Sequence, residues 1–512
     1  MKLLRWLPLA IAPLSFGCGH RSTPPHSLEI GIWYWHSPFS ISKDERKLLD
    51  HMGVSTLYVR AATFTTDGVR ASTMMPEMWS SNSGGLPVVL VFNFDGGLDS
   101  HFGSLTNPPL ADQIAAGIDK EWTRASKQVA VAGVQMDIDC PTRLLPKYAD
   151  LLQQIRSKLS RRLKGKSFSA TALQTWLTSP SGYQRVADAC DFLCPQFYEG
   201  RIGKTIDAVQ PVADLGALTK GLQKADQAGK PFYVGIATYG HSLIYNPRGQ
   251  LQGMYHGIGP EDALRHPSLK MEYERPITGG QEELLMLKAV KPDQNGRGLG
   301  SHIAYVIPTA DSLKTQIETL KANLPANCQG LILYRYPGEN DEFALPLRTV
   351  ADVLQGKQPA LDIKIKLNQR SEPWSMIGTG KHGKSAPQSF QVRLGSHGSS
   401  PTRATQGAVQ LLMRFDKEGL DAVAQGDFDS VTVGREDQGN FQPCALAHAN
   451  AVLFQRSLLL PGQKLSTGEV STPIDGPNLL RVQWKARAPS GVSDVSGMLD
   501  SKDLRLQGGG SR

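Results

Sequence analysis

Two carboxylates stand at strand spacing in a short run of alternating polar and apolar residues. The run extends from Gly133 to Asp139 and reads GVQMDID. Because successive side chains on a strand point to opposite faces, Gln135, Asp137 and Asp139 share one face. Carboxylates that lie close together raise the pKa of one of them, which a general acid working near neutral pH requires. The run therefore predicts that Asp137 and Asp139 are catalytic.

Further polar and aromatic residues lie near the ends of other predicted strands. A second acid or base is expected from Glu199 or Asp95. Polar side chains at matching depth would bind sugar hydroxyls, and aromatic ones would stack on a sugar ring. The predicted substrate-binding set is Gln135, Trp176, Gln196, Tyr198, Tyr239, Asn93 and Arg335, with Trp33 and Trp35 as further aromatic candidates. Each has a structural alternative, and Arg60 or Arg335 could simply neutralise the aspartate pair.

The elements that must position these residues follow the order of a barrel. Short β-rich runs recur between residues 28 and 337, separated by helical patterns or long insertions. Strands that alternate with helices pair in parallel, and a (β/α)8 barrel builds its functional site at the carboxyl ends of its strands. The runs are Leu28 to His36, Thr56 to Phe64, Leu86 to Asp95, Val131 to Asp139, Ser167 to Trp176, Phe192 to Glu199, Phe232 to His241 and Gly330 to Pro337. We predict an α/β fold with a TIM barrel over residues 27–354.

Two helices and one insertion can be read within this barrel. Ser42 and Glu45 form a capping box, which predicts a helix that ends before Gly53. Leucines at helical spacing predict a second helix over residues 142–163. Strands seven and eight are too far apart for an ordinary connection, so we predict an insertion at about 241–311, followed by a helix over 312–324. An insertion at this end of a barrel is either a lid over the pocket or a decorative loop.

The last third of the chain has the pattern of an all-β domain. Apolar residues alternate with polar ones in three runs, at 361–367, at 390–394, and at Leu480, Val482 and Trp484. This pattern predicts a smaller sandwich-like domain over residues 360–490. Residues 491–512 end in a glycine run and are expected to be a disordered tail.

The first 18 residues have the order of a secretory signal. Lys2 and Arg5 precede an apolar run that leads to Gly17 and Cys18. The segment resembles a bacterial lipoprotein signal, which would lipidate Cys18 after cleavage; plain secretion is the alternative. We expect an exported protein, either periplasmic or anchored to the outer membrane, that contacts the membrane only through its lipid.

Charge and cysteine patterns exclude two classes of partner. The formal net charge is +8, but the basic residues form no run interleaved with aromatics, so no nucleic acid is expected. The five cysteines after Cys18 contain no CxxC pair, so no metal site and no cofactor is expected. Cys190 and Cys194 could be bridged or buried as small apolar residues. His36 and His241 are the imidazoles near predicted strand ends, which leaves a metal-dependent hydrolase as a minor alternative.

Two strings resemble the glycoside hydrolase family 18 barrels, the chitinase-like family. They are Gly133 to Asp139 on strand four and Pro195 to Tyr198 on strand six. The family's fourth strand ends in Asp-x-Asp-x-Glu, and its two aspartates fall on Asp137 and Asp139. The glutamate that protonates the leaving oxygen falls on Pro141. The resemblance implies a glycosidase-like barrel from which the usual acid is missing.

The chain also resembles an uncharacterised family of exported bacterial barrels, domain of unknown function 3142. The residues that carry this likeness are Gly133 to Pro141, Tyr148 with the leucine-rich helix, Ser169 to Leu177 and Gly330 to Pro337. The likeness covers about residues 27–354 and implies the fold but no activity.

These observations lead to two hypotheses. The first is a carbohydrate-active envelope protein of glycosidase type, with Asp137 and Asp139 joined by Glu199 or Asp95. The second is a non-catalytic glycan-binding or scaffolding lipoprotein, which Pro141 favours. A second carboxylate within reach of Asp139 across the pocket would distinguish the two, because an isolated aspartate pair would indicate binding alone.

Overall fold

A computed structural model describes residues 28–65, 79, 83–95, 108–279, 281–292, 298–371 and 387–500. The predicted signal with Cys18, and residues 501–512 of the predicted tail, lie outside the described residues. Among the described residues no helix is both long and apolar enough to cross a membrane.

Eight parallel strands close into a barrel, which confirms the predicted fold class. Their order around the barrel is β1-β13-β7-β6-β5-β4-β3-β2, so the last strand of the barrel closes onto the first. Every barrel strand overlaps one of the predicted β-rich runs. The strands are β1 (Glu29–Tyr34), β2 (Val54–Thr65), β3 (Val88–Asp95), β4 (Val131–Asp137), β5 (Ser167–Leu173), β6 (Phe192–Gln196), β7 (Phe232–Ala237) and β13 (Cys328–Tyr334).

Helices cover the outside of the barrel and bury its outward-facing apolar residues. Ser42 and Glu45 form the predicted capping box at the first helix, and Gly53 follows that helix with φ of 72°. The apolar face of the third helix is buried, as its leucine spacing predicts. The helices around the barrel are α1 (Lys43–His51), α2 (Pro108–Ala125), α3 (Leu145–Lys158), α4 (Pro180–Ala189), α5 (Leu215–Asp226), α7 (Ala310–Ala322) and α8 (Leu347–Leu354), whereas the short helix α6 (Pro260–Arg265) lies within the insertion after β7.

The insertion after β7 folds into a five-stranded antiparallel sheet of its own. Its strand order is β10-β11-β12-β8-β9, and the chain then returns to the barrel through α7. The strands are β8 (His241–Tyr245), β9 (Leu251–Met254), β10 (Leu269–Pro276), β11 (Glu283–Ala289) and β12 (His302–Ile307). The first of these strands begins four residues after β7 ends. The insertion is therefore anchored directly at the carboxyl end of the barrel.

The C-terminal region is a sandwich of two β-sheets around one apolar core. One sheet has the order β14-β15-β22-β17, with β21 also paired to β15, and the other has the order β19-β18-β20-β16-β23-β24. The strands are β14 (Ile363–Ser371), β15 (Gln388–Ser396), β16 (Val409–Phe415), β17 (Ala422–Val423), β18 (Ser430–Asp437), β19 (Asn440–Pro443), β20 (Ala451–Arg456), β21 (Lys464–Ser466), β22 (Val470–Thr472), β23 (Leu479–Ala486) and β24 (Val495–Asp500).

Two details of this domain differ from the sequence prediction. The predicted disordered tail begins too early, because β24 pairs antiparallel with β23 and Val495 and Leu499 pack on the core. Leu480 is 39% exposed, whereas Leu479 is 6% exposed. A register shift opposite this point, between Arg414 and Phe415, moves the buried position by one residue.

Ion pairs join the C-terminal domain to the insertion. The guanidinium of Arg403 lies 3.0 Å from Glu283 on β11 and 3.5 Å from Glu274 on β10. Arg487 lies 3.0 Å from Glu274, and Ser490 donates two hydrogen bonds to Glu283. Several partners share each carboxylate, which fixes geometry better than an isolated surface pair would. The C-terminal domain therefore stabilises the insertion through contacts with β10 and β11.

Close packing of β4 on β5 predicts a strong effect of adding one methyl group. A Cβ at Gly133 would lie 2.1 Å from Ser167 Oγ and 2.4 Å from the Ser167 carbonyl oxygen. We expect Gly133→Ala to lower the free energy of unfolding by about 1–3 kcal/mol, because the strands must separate. Urea unfolding followed by circular dichroism measures this loss.

Gly216 on α5 supplies the matched control. It is exposed, and a Cβ there meets no atom closer than 3.6 Å. Gly216→Ala should leave stability unchanged or raise it by up to about 1 kcal/mol. Equal effects of the two substitutions would contradict the close approach of β4 and β5.

Candidate functional site

Asp137 lies at the end of β4, where the barrel interior opens to solvent. Its strand neighbours are Asn93 on β3 and the residues of β5. Thr171 Oγ1 donates a hydrogen bond to Asp137 Oδ1 at 2.7 Å. Burial raises the pKa of Asp137 to about 6, the Thr171 bond opposes this rise, and the charge of Asp139 adds to it. Asp137 therefore changes its protonation state close to neutral pH.

Asp139 and Glu199 stand at the same end of the barrel, after β4 and β6, with one strand, β5, between them. Asp139 stands two residues past the end of β4 and is exposed to solvent. Partial desolvation raises the pKa of Asp139, and the negative charge of Glu199 raises it further. The two carboxylates therefore interact electrostatically. Asp137 and Asp139 do not stand alone at this end of the barrel.

Glu199 is held in its ionised form by two hydrogen-bonding side chains. His241 Nδ1 lies 3.1 Å from Glu199 Oε1 and must carry the proton, since a carboxylate only accepts. Burial alone would raise the pKa of Glu199, but the bonds from His241 and Tyr239 outweigh it and lower the pKa. The Glu199 backbone has φ of 52°, an uncommon value for a side chain that is not glycine. Its N–H donates to the carbonyl of Val212 at 2.8 Å, which holds this conformation.

Four aromatic rings, Tyr198, Tyr239, Tyr334 and Trp35, form the floor of the pocket beside these carboxylates. Tyr334, at the end of β13, stacks on Tyr198 with a centroid distance of 5.6 Å and an interplanar angle of 12°. Tyr239 and Trp35 meet the Tyr334 ring edge-on at 4.9 and 5.6 Å. Tyr198 and Tyr239 were predicted for the site, whereas Tyr334 was not. Its position at the carboxyl end of the last β-rich run is the signal that could have identified it.

A cavity of about 320 Å³ opens beside this floor. The insertion supplies one wall, so this segment lies against the pocket and is more than a decorative loop. The lining from the barrel side includes Glu199, Tyr239, Tyr334 and Arg335, and the lining from the insertion includes His241, Met254, Tyr255 and Ile258. Arg335 is part of this wall, but its guanidinium pairs with Asp341 at 2.8 Å. It does not neutralise the strand-four aspartates.

Two predicted binding residues are structural instead. Gln135 is fully buried below Asp137 and accepts a hydrogen bond from Trp33 Nε1 at 2.7 Å, so no ligand can reach it. Trp176 is also fully buried, because it lies outside the barrel against Tyr148 on α3. Its Nε1 donates to the carbonyl of Cys140 at 2.7 Å. Trp176 therefore supports the turn that carries Asp139 and offers no face to a sugar.

The remaining predicted residues stand at strand ends near the mouth. Asn93 Oδ1 accepts a hydrogen bond from Thr63 Oγ1 at 2.7 Å, and Gln196 ends β6 beside Gly235. Both are partly exposed. Asp95 ends β3, and its side chain lies outside the described part of the structure.

The described residues hold no group of three or more His, Cys, Asp or Glu side chains that could bind a metal ion. His36 Nε2 instead contacts the carbonyl of Tyr336 at 2.7 Å. Cys190 and Cys194 are both buried free thiols, so no disulfide joins them.

The raised pKa of Asp137 predicts a pH-dependent difference in stability. A carboxyl group whose pKa is about 6 in the folded chain favours folding only while protonated, so its contribution is lost as pH rises from about 4 to above 6. Asp137→Asn keeps the oxygen that accepts from Thr171 and removes the charge. We expect the variant and the parent to have the same free energy of unfolding at pH 4, and the variant to have the higher one by up to about 3 kcal/mol at pH 8. Urea unfolding at several pH values measures this, with Asp362→Asn at an exposed carboxylate as control. A difference independent of pH would contradict the raised pKa.

Comparison with known proteins gives one match to a family model over part of the chain and a set of solved structures with a similar fold. A family model described as Domain of unknown function (DUF3142) matches residues 84–255. This agrees with the resemblance predicted from the sequence. No curated protein sequence matches the chain.

Several solved structures contain a similar barrel. The spore cortex-lytic enzyme SleL of Bacillus megaterium is 14% identical with a TM-score of 0.44, over 65% of this chain and 75% of that one. A chitinase from Chromobacterium violaceum is 16% identical with a TM-score of 0.44, over 64% and 99%. The GH18 chitinase of Cycas revoluta in complex with (GlcNAc)3 is 12% identical with a TM-score of 0.42, over 64% and 98%. The chain thus resembles the DUF3142 family in sequence over residues 84–255, and its neighbours among solved structures are chitinase-like barrels.

Proposed function

We propose that this protein is a glycosidase-like, carbohydrate-active protein of the bacterial cell envelope. It acts on or binds an extracytoplasmic glycan through the carboxylate pocket at the carboxyl end of the barrel. The order of residues from Lys2 to Cys18 supports export and a lipid anchor, in the periplasm or on the outer membrane.

One observation carries the catalytic form of this proposal. The charges of Asp139 and Glu199 interact, and their surroundings move their pKa values in opposite directions. Two carboxyl groups tuned apart in this way can serve as an acid and a base in one reaction. An isolated aspartate pair would instead have favoured binding alone.

The geometry supports a division of roles among the carboxylates. Asp139, which faces solvent and retains its proton more readily than Glu199, would donate that proton to the leaving oxygen of a glycosidic bond. Glu199, held ionised by His241 and Tyr239, would either attack the sugar or activate a water molecule. Asp137 would lie deeper in the barrel than Asp139, where it would be either charged or protonated. Tyr198 and Tyr334 would form the surface on which a sugar ring rests.

A non-catalytic glycan-binding protein is the second candidate, and Pro141 favours it. This residue stands at the position where the chitinase-like barrels carry their glutamate acid, and a proline cannot donate a proton. In this case the same floor and carboxylates would bind sugar hydroxyls without cleaving the chain.

Substitution of the two carboxylates distinguishes the candidates. We expect Asp139→Asn and Glu199→Gln each to lower kcat by about 10²- to 10⁴-fold, because each removes a proton-transferring or nucleophilic group. The assay is release of reducing ends from a panel of bacterial envelope polysaccharides by the chain from Gly19 onward. Glu318→Gln, at a carboxylate that is 64% exposed on α7, should retain full turnover.

Glycan binding by the same variants decides the second candidate. If the parent binds a glycan and releases no product, and binding survives Asp139→Asn, the protein is a binding module. If neither binding nor turnover occurs with any member of the panel, the proposed function is wrong.

The pH profile of turnover should depend on the partners of Glu199. Activity requires Glu199 ionised and Asp139 protonated, so it should fall toward low pH as Glu199 gains a proton and toward high pH as Asp139 loses one. Tyr239→Phe removes one bond that lowers the pKa of Glu199. The acid limb of kcat/KM should therefore move to higher pH, and the alkaline limb should stay in place. Tyr273→Phe, at a tyrosine on β10, is the control, and an unmoved acid limb in Tyr239→Phe would contradict this role.

A further inference from the structure

Arg60 is a cation in the mouth of the barrel that stacks on an aromatic ring. The register of β1 on β2 pairs Trp33 with Tyr58 and Tyr34 with Val59, which places Trp35 beside Arg60. The Arg60 guanidinium carbon lies 5.5 Å from the centroid of the Trp35 ring. Both side chains are partly exposed. The stacking fixes the plane of the guanidinium at this edge of the pocket.

No carboxylate pairs with Arg60 in the described part of the chain. The other arginine at the mouth, Arg335, is bound to Asp341 at 2.8 Å. Burial lowers the pKa of Arg60, which reflects the cost of removing water from its charge. Among the described residues this partly desolvated guanidinium has no carboxylate counter-charge, so it can accept one from a bound anion.

Arg60 on β2 and Glu199 after β6 stand on opposite sides of the barrel, because β2 and β6 are four strands apart in either direction around it. The pKa of Tyr334 is raised first by burial; Arg335 and Arg60 lower it, and Asp137 and Glu199 raise it. Trp35 packs edge-on against the Tyr334 ring at 5.6 Å. A sugar resting on the Tyr334 floor would thus meet a cation at one edge and acidic side chains at another. An anionic substituent of that sugar would bind at the Arg60 edge, away from the negative charge of Glu199 that would repel it.

We propose that Arg60 binds the carboxylate of a uronic acid unit, so that the glycan recognised by this protein is an acidic polysaccharide. This inference rests on the proposed function, since it names the class of glycan that the same pocket takes. A guanidinium presents two parallel N–H donors that match the two oxygens of a carboxylate. A neutral sugar would leave the Arg60 charge without a counter-charge.

Matched acidic and neutral glycans test this inference. The probes are oligosaccharides of galacturonate, glucuronate and mannuronate, each compared with its carboxyl-reduced form, in which CH₂OH replaces the carboxylate. Calorimetry with the chain from Gly19 onward should give at least one acidic oligosaccharide about tenfold higher affinity than its reduced form. That preference should weaken as sodium chloride is raised, because salt screens the charge pair.

Substitution of Arg60 assigns the preference to this residue. Arg60→Gln should lower affinity for the acidic oligosaccharide about tenfold and leave the reduced form unaffected, and Arg60→Lys should recover part of the loss. Arg275→Gln is the matched control, because Arg275 also stacks on an aromatic ring, Tyr273 at 5.9 Å, but on the insertion strand β10. It should bind like the parent.

The outcomes separate this inference from the proposed function. If the parent binds acidic and reduced oligosaccharides equally, or if Arg60→Gln weakens both by the same factor, the acidic-glycan inference is wrong and the proposed function stands. If the parent binds none of these oligosaccharides but binds or cleaves another member of the envelope polysaccharide panel, the acidic-glycan inference is wrong and the proposed function stands. If it binds no glycan from either set, both fail. Thermal unfolding of each variant identifies any loss caused by misfolding.

Discussion

The hydrogen bonds that hold Glu199 ionised are the interaction on which the pocket depends. Without the His241 and Tyr239 donors, burial would raise the pKa of Glu199. Its negative charge in turn raises the pKa of Asp139. The pKa of Asp139, which burial raises first, therefore also depends on the bonds to Glu199. The left-handed backbone at Glu199, fixed through Val212, places the carboxylate where both donors reach it.

Both donors come from the segment in which the barrel chain passes into the insertion. Tyr239 lies between β7 and β8, and His241 is the first residue of β8. The insertion sheet then forms a wall of the cavity, and ion pairs from Arg403 and Arg487 brace that sheet from the C-terminal domain. The three parts of the chain thus act on one site. The barrel carries the carboxylates, the insertion orients one of them, and the sandwich supports the insertion.

The charged groups of this pocket come from three strands of the barrel. Pro141 follows Asp139 after β4 and carries no acidic group, whereas the Glu199 carboxylate enters the pocket after β6. Burial raises the pKa of both strand-four aspartates, that of Asp137 to about 6. Arg60, which pairs with no carboxylate among the described residues, adds a positive charge at the Trp35 edge of the pocket, opposite the Glu199 edge.

The sequence by itself determined the barrel, the sandwich and the strand that carries Asp137 and Asp139. Strand and helix periodicity are local properties, and each of the eight barrel strands overlaps a run with the expected pattern. Period two also placed Gln135 on the same face as the aspartates, but only the tertiary structure showed that Gln135 is bonded to Trp33 below the reach of a ligand. Trp176 was misassigned for the same reason, because the sequence of a strand end does not reveal whether the chain turns inward or outward. Glu199 pairs with His241, Tyr334 stacks on Tyr198, and the Arg60 guanidinium lies over the Trp35 ring. Each of these contacts joins residues from different elements of the chain. Such contacts depend on how the barrel closes and where the insertion packs, and no local pattern encodes them.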